Sequence, residues 1–262
     1  MFYLFFSVVI FLFGLIIGSF LNCVIDRLET KDSFLKGRSF CPNCRHVLSW
    51  QDLIPVFSFL FLRGKCRYCR KAISWQYPLM ELATGALFVL VFRYFAGDLP
   101  YTIYGLIIAS FLIIIFVYDL KHYVIPDSVI YPAIAIALLY QLFQIWSSGY
   151  WNLAGFWNLL LGILPTLFFL AIILISRGRW MGFGDFELAI LMGLILGWPN
   201  ILIALFSAFF IGALVGTWLI VRGAKTLKSE VPFGPFLVTG TFLALFLGDK
   251  ILDWYLTLFL LQ

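Results

Sequence analysis

Long apolar runs recur along the chain, at residues 2–24, 78–95, 101–118, 128–146, 153–176, 186–198, 201–221 and 236–256. Most reach the ~20 residues that a helix needs to cross ~30 Å of hydrocarbon. Only 12% of the residues are charged, where an ordinary soluble domain has about 25%. A backbone in lipid has no water to bond and must satisfy its amides and carbonyls internally. The pattern therefore predicts an all-α polytopic membrane protein of about eight transmembrane helices. Runs of about 20 residues, in place of alternating segments of about 10, exclude an outer-membrane barrel. The run at 186–198 is the shortest and fits least well. The first run has no basic segment ahead of it and no small-residue cleavage site before Asp26 and Arg27, so it reads as an uncut span. Gly14 and Gly18 form a small-xxx-small pair of the kind that lets a second helix pack closely.

Eight spans place loops 26–76, 119–127, 177–185 and 222–235 on one face. All but two of the 18 Lys and Arg residues fall in those loops; Arg93 and Lys250 are the exceptions. Basic loops stay on the cytoplasmic side. The amino terminus is thus expected outside, and segment 26–76, the only polar stretch long enough for a small domain, in the cytosol. The division that follows is a first transmembrane helix at 1–25, a cytosolic module at 26–76 and a seven-helix transmembrane region at 77–262.

Within the polar segment stand Cys41-Pro-Asn-Cys44 and Cys66-Arg-Tyr-Cys69, two Cys-x-x-Cys knuckles with 21 residues between them. That spacing suits a tetrahedral site in which Cys41, Cys44, Cys66 and Cys69 hold one Zn²⁺. Two disulfides are the competing account, but a cytosolic loop is a reducing environment. Four thiolates leave no open coordination position, so the metal is expected to be structural. Their net charge with zinc, about −2, would be offset by Arg45, Arg63, Lys65, Arg67, Arg70 and Lys71. A basic zinc module can also bind nucleic acid. This one lacks the aromatic interleaving of a single-strand binder, and topology already explains its charge, so no nucleic-acid partner is expected. Cys23, in the first run, reads as an ordinary buried small side chain.

Two carboxylates stand out on the same face. Asp119 opens Asp119-Leu-Lys-His-Tyr-Val-Ile-Pro-Asp127 at the carboxyl end of a spanning helix. Free carbonyls there disfavour a carboxylate by ~0.3–1 kcal/mol, so helix stability does not account for it. Asp127, after Pro126 at the start of the next helix, is accounted for by capping of free amides. Gly182-Phe-Gly-Asp185 closes the loop at 177–185. Its glycines permit close backbone approach and leave Asp185 at a helix amino terminus, where a cap is the simple account and the field favours an anion. If Asp119 and Asp185 meet, the two helix ends give them opposed electrostatic surroundings. An aspartyl dyad needs such an asymmetry, one carboxylate activating water and one acid bonding the scissile carbonyl, although the pair titrates as a unit.

Taken together, these residues resemble the bacterial type IV prepilin peptidase family, also called prepilin leader peptidase and N-methyltransferase, over almost the whole chain. Gly18-Ser-Phe-Leu-Asn-Cys-Val-Ile-Asp-Arg-Leu28 is similar to the family's opening motif, and Trp75-Gln-Tyr-Pro-Leu-Met-Glu-Leu-Ala-Thr-Gly85 to its next block. Asp119 with Ile125-Pro126-Asp127 resembles the first catalytic motif, Gly182 to Asp185 the second, and Val231-Pro-Phe-Gly-Pro-Phe-Leu237 a carboxyl-terminal one. Gly-x-Gly-Asp is also shared with presenilin-like proteases. The resemblance implies Asp119 and Asp185 as the catalytic pair. It implies cleavage of a basic leader from type IV prepilins or type II secretion pseudopilins, then N-methylation of the new amino terminus by S-adenosylmethionine, in a bacterial inner membrane. No motif locates the methyl-donor site. Glu81, a charged residue entering the second span, could face a substrate amine or pair with the basic module. The family usually has Lys where this chain has Glu187; two residues along a helix it faces away from Asp185, so tuning and not loss is expected. The alternatives are a peptidase without methyltransferase activity, or a zinc-scaffolded transport or structural protein whose aspartates line a proton path.

Overall fold

Every apolar run becomes helix, and helices carry nearly all the regular structure. The computed structural model describes residues 2–30, 37–147, 153–224, 226, 229 and 231–260. Lys31, Lys36, Lys225 and Lys228, four of the basic residues counted above, lie outside them. The helices are α1 (Phe2–Thr30), α2 (Phe57–Phe61), α3 (Gln76–Tyr94), α4 (Leu99–His122), α5 (Asp127–Ser147), α6 (Leu153–Ile163), α7 (Leu167–Ser176), α8 (Phe183–Leu196), α9 (Asn200–Val221) and α10 (Gly234–Leu260). Six segments are long and apolar enough to cross a membrane: Leu4–Glu29, Leu99–His122, Asp127–Ser147, Gly155–Ser176, Asn200–Val221 and Gly234–Leu258. The other two runs form helices that fall short of that measure. α3 carries Glu81 and Arg93, and α8 has only 14 residues. The run at 153–176 is broken by Pro165, whose missing amide and ring turn Leu164–Thr166 into a 3₁₀ turn between α6 and α7. The protein is an all-α, multi-pass membrane protein.

The chain divides into two compact units, Met1–Ile114 and Ile115–Gln262. In the first, α1 packs along α3 through glycine. A Cβ on Gly14 would lie 2.7 Å from the Cα of Gly85, and one on Gly18 2.7 Å from the Cα of Glu81. No other residue allows that approach, so the small-xxx-small pair seats α3. In the second unit α8 is the most buried helix, with Leu188, Leu191 and Met192 fully enclosed. It meets α6 where Gly162 and Gly193 face each other, and α9 meets α10 where Gly240 lies against the carbonyl of Ala204. Apolar side chains supply little net attraction in lipid, so close backbone contact of this kind takes over the packing.

Candidate active site and metal centre

Asp119 occupies the last turn of α4, and its backbone carbonyl receives the Tyr123 amide at 2.9 Å as the helix closes. Its side chain is only 4% exposed. Oδ2 accepts a hydrogen bond from the backbone amide of Gly234, at the start of α10, at 2.9 Å. Gly234 is required by space, since an added Cβ would stand 2.6 Å from that oxygen. Ahead of it the Phe233 ring packs against Phe209 of α9 at 5.0 Å between centroids and against the fully buried Phe169 of α7 at 6.4 Å. The aromatic wedge thus fixes the amide that Asp119 meets. The unfavourable setting expected for a carboxylate at a helix carboxyl end is therefore only half of what this residue experiences: a directed donor from a distant segment offsets the local carbonyls. Nothing local to the Pro232-Phe-Gly-Pro235 motif signals a carboxylate partner in the sequence.

Asp185 lies in the first turn of α8, half-buried, after an extended Gly182 at the cap position. The charge of Asp119 acts on it through space, and its carboxylate also interacts with the Gly182 backbone amide. Gly184 makes room for Ile125, whose Cβ would be 3.0 Å from an added Cβ. The structure thus brings Asp119 and Asp185 within electrostatic reach. Asp127 is the exposed first residue of α5, in the helix turn that favours an acid. Glu187 does point elsewhere. It is 6% exposed, and its Oε1 accepts from the Tyr131 hydroxyl of α5 at 2.6 Å. A cavity of ≈ 320 Å³ is lined by apolar side chains that include Leu120, which follows Asp119 in the chain, and Pro235, which follows Gly234, together with Phe116, Ile211, Val231 and Phe236; neither aspartate is part of that lining.

In the first unit the two Cys-x-x-Cys knuckles have the same backbone. The Arg45 amide bonds the Cys41 carbonyl at 2.8 Å and the Arg70 amide the Cys66 carbonyl at 3.0 Å; the amides of Cys41 and Cys66 reach back to His46 and Lys71. Each knuckle is closed by an isolated bridge, Phe40 with Val47 and Lys65 with Ala72. Arg45 and Arg70, each just after a second cysteine, have positive φ of 56° and 61°. The four sulfurs converge within 4.8 Å of one another, with Cys41 and Cys69 Sγ 3.9 Å apart. Sulfurs at ~2.3 Å from a tetrahedral Zn²⁺ would be spaced about 3.8 Å, so the donor set fits. No disulfide joins these cysteines among the described residues.

Two carboxylates hold this module: Glu81, which the sequence offers as a partner of the module's basic residues, and Asp52, which has no role legible in the sequence. Asp52 accepts from the Ser49 hydroxyl at 2.8 Å, the Ser49 amide at 3.1 Å, Arg67 Nε at 2.7 Å and the Tyr68 hydroxyl at 3.3 Å. It thereby ties the exit of the first knuckle to the interior of the second. Burial opposes its ionisation, yet the Ser49 and Arg67 donors prevail and hold its carboxyl below the ordinary carboxylate value. Glu81 is 6% exposed and accepts from the Val56 amide at 2.7 Å, with the Ser19 hydroxyl of α1 as a further donor. Among the described residues it bonds backbone and a hydroxyl, not a basic side chain, and it joins the helix pair to the turn at Val56, where φ is 62°.

A polytopic helical membrane protein with two neighbouring aspartates and a four-thiol module is the class these features define. Residues 12–95, which contain the cysteine quartet, match the family model described as "Bacterial Peptidase A24 N-terminal domain". Residues 106–217, which contain Asp119 and Asp185, match that of the "Type IV leader peptidase family". Relatives named prepilin leader peptidase/N-methyltransferase include that of Bacillus subtilis (strain 168), 34% identical over 95% of this chain and 97% of the relative. The Aeromonas hydrophila protein is 34% identical over 98% of this chain and 96% of its own length, and that of Klebsiella pneumoniae 39% over 72% and 84%. No solved structure matches the chain. The chain belongs to the type IV leader peptidase family, a family of membrane enzymes.

Proposed function

We propose that the protein cleaves the basic leader from type IV prepilins or type II secretion pseudopilins, with Asp119 and Asp185 as the catalytic dyad. The observation that carries this reading is a buried Asp119, oriented by the Gly234 amide, within electrostatic reach of Asp185. In the dyad reading the two carboxylates share one proton. The ionised member removes a proton from water while the protonated one bonds the scissile carbonyl. Water oxygen adds to the carbonyl carbon, the C–N bond breaks, and the leaving amine takes a proton. The apolar cavity lined by Leu120 and Pro235 supports the same reading, because the segment following such a leader is a membrane helix and needs apolar surroundings.

The charge bias of the loops supports an amino terminus outside, with the aspartates and the four-cysteine module at the cytosolic face of a bacterial inner membrane. There a Lys- or Arg-bearing leader stays in water while its apolar neighbour enters lipid. In this arrangement residues 1–25 are the first span, 26–76 a structural zinc module and 77–262 the peptidase region. S-adenosylmethionine would supply a methyl group to the new amino terminus; the names of the relatives support this activity, and no residue is assigned to it.

The test is direct. Asp119→Asn and Asp185→Asn, each shown to fold, should abolish processing of a purified prepilin, and substantial cleavage by either variant ends the dyad reading. Labelled methyl donor in the same reaction separates a bifunctional enzyme from a peptidase alone.

A further inference from the structure

We propose that Tyr131 and Glu187 form a positioning pair that sets the place of Asp185 relative to Asp119; the proposal rests on the aspartate reading above. Glu187 follows Asp185 by two residues, and at 3.6 residues per turn its side chain leaves α8 on nearly the opposite side. It therefore does not crowd the dyad. It anchors the other flank of the same helical turn, through the 2.6 Å bond from the Tyr131 hydroxyl.

Tyr131 belongs to α5, which is joined to Asp119 by the short connection through residues 123–126. Ile125 in that connection lies against Gly184. The first turn of α8 is thus held at two points that flank Asp185 in sequence, by Ile125 at Gly184 and by Tyr131 at Glu187. Both grips come from the stretch of chain that continues directly from Asp119. The enclosed Leu188, Leu191 and Met192 fix how deeply α8 sits. Apolar contact has no direction, whereas a hydrogen bond does. Rotation of this 14-residue helix about its axis is resisted by the Tyr131–Glu187 bond.

A phenol both donates and accepts, so the grip depends on a side chain at 187 that can bond it and not on the sign of its charge.

The experiment measures kcat and KM for prepilin cleavage by the full-length protein and its variants, each with its thermal unfolding recorded. Tyr131→Phe and Glu187→Leu are expected to lower kcat about tenfold or more with KM within about twofold, as displaced catalytic groups do. Glu187→Gln and Glu187→Lys, which can still bond the phenol, should stay within about threefold of the unaltered enzyme. Full kcat in Tyr131→Phe overturns the proposal, as does equal impairment of the Leu, Gln and Lys variants. If Glu187→Leu fails to fold, Tyr131→Phe, which keeps the ring, decides alone. Asp185→Asn is run in parallel. Its retention of activity sinks the aspartate reading, whereas a dead Asp185→Asn beside a fully active Tyr131→Phe sinks only the positioning role.

Discussion

The backbone amide of Gly234 and the carboxylate of Asp119 meet at 2.9 Å although 115 residues separate them. An added methyl at Gly234 would stand 2.6 Å from the carboxylate oxygen and 3.1 Å from its carbon. Asp119 is too enclosed to step aside without losing the amide. Gly234→Ala is expected to lower prepilin cleavage at least ~100-fold, as a misplaced reacting group does, with the helical signal in circular dichroism unchanged. Near-normal turnover would show that this bond does not orient Asp119.

Metal content tests the four-thiol module. One zinc per chain is expected in the purified protein, and Cys66→Ser should remove most of it. With a closed four-sulfur site the metal contributes folding energy and no chemistry. The expected result is rapid proteolysis within 37–75 after metal removal, with the transmembrane helices intact. A module equally resistant with and without metal contradicts a structural role.

Asp52 makes that module pH-sensitive in a definite direction. Its folded value lies below the ordinary 3.8. Its contribution is therefore complete above that ordinary value and is lost as the pH falls below it, through the lower folded value. Asp52→Asn should cost about 1–3 kcal/mol near neutrality, from weakened bonds to Ser49 and Arg67. The difference between variant and unaltered protein, measured by local proteolysis or hydrogen exchange, should shrink only at strongly acid pH. A gap that closes near neutrality would assign the effect to another group.

The cavity lined by Leu120 and Pro235 can be filled. Ile211 lines it from α9, away from both aspartates in sequence. If the cavity takes the apolar segment of the substrate, Ile211→Trp should raise KM for a prepilin about tenfold and leave kcat close to normal, the signature of lost uniform binding. An unchanged KM would place the substrate elsewhere.

What could be read from the residues alone was whatever is periodic or local. Apolar runs gave the helices, because a span must close its own hydrogen bonds. The bias of Lys and Arg is the basis of the proposed orientation, and the four cysteines at knuckle spacing mark a candidate metal site whose sulfurs do converge. Asp119 and Asp185 were conspicuous as charges at the ends of apolar helices. Gly14 and Gly18 could be suspected of seating a helix, but not α3.

Only the folded chain decided which distant groups meet. Gly234 as donor to Asp119, Tyr131 as partner of Glu187, Asp52 between the knuckles and Glu81 beneath Val56 are all pairings of this kind. Each is a directional bond between segments that share no pattern. A sequence specifies that a buried carboxylate must find donors, since an unpaired one is too costly to bury. Which donor it finds is set by the packing of the helices that carry them.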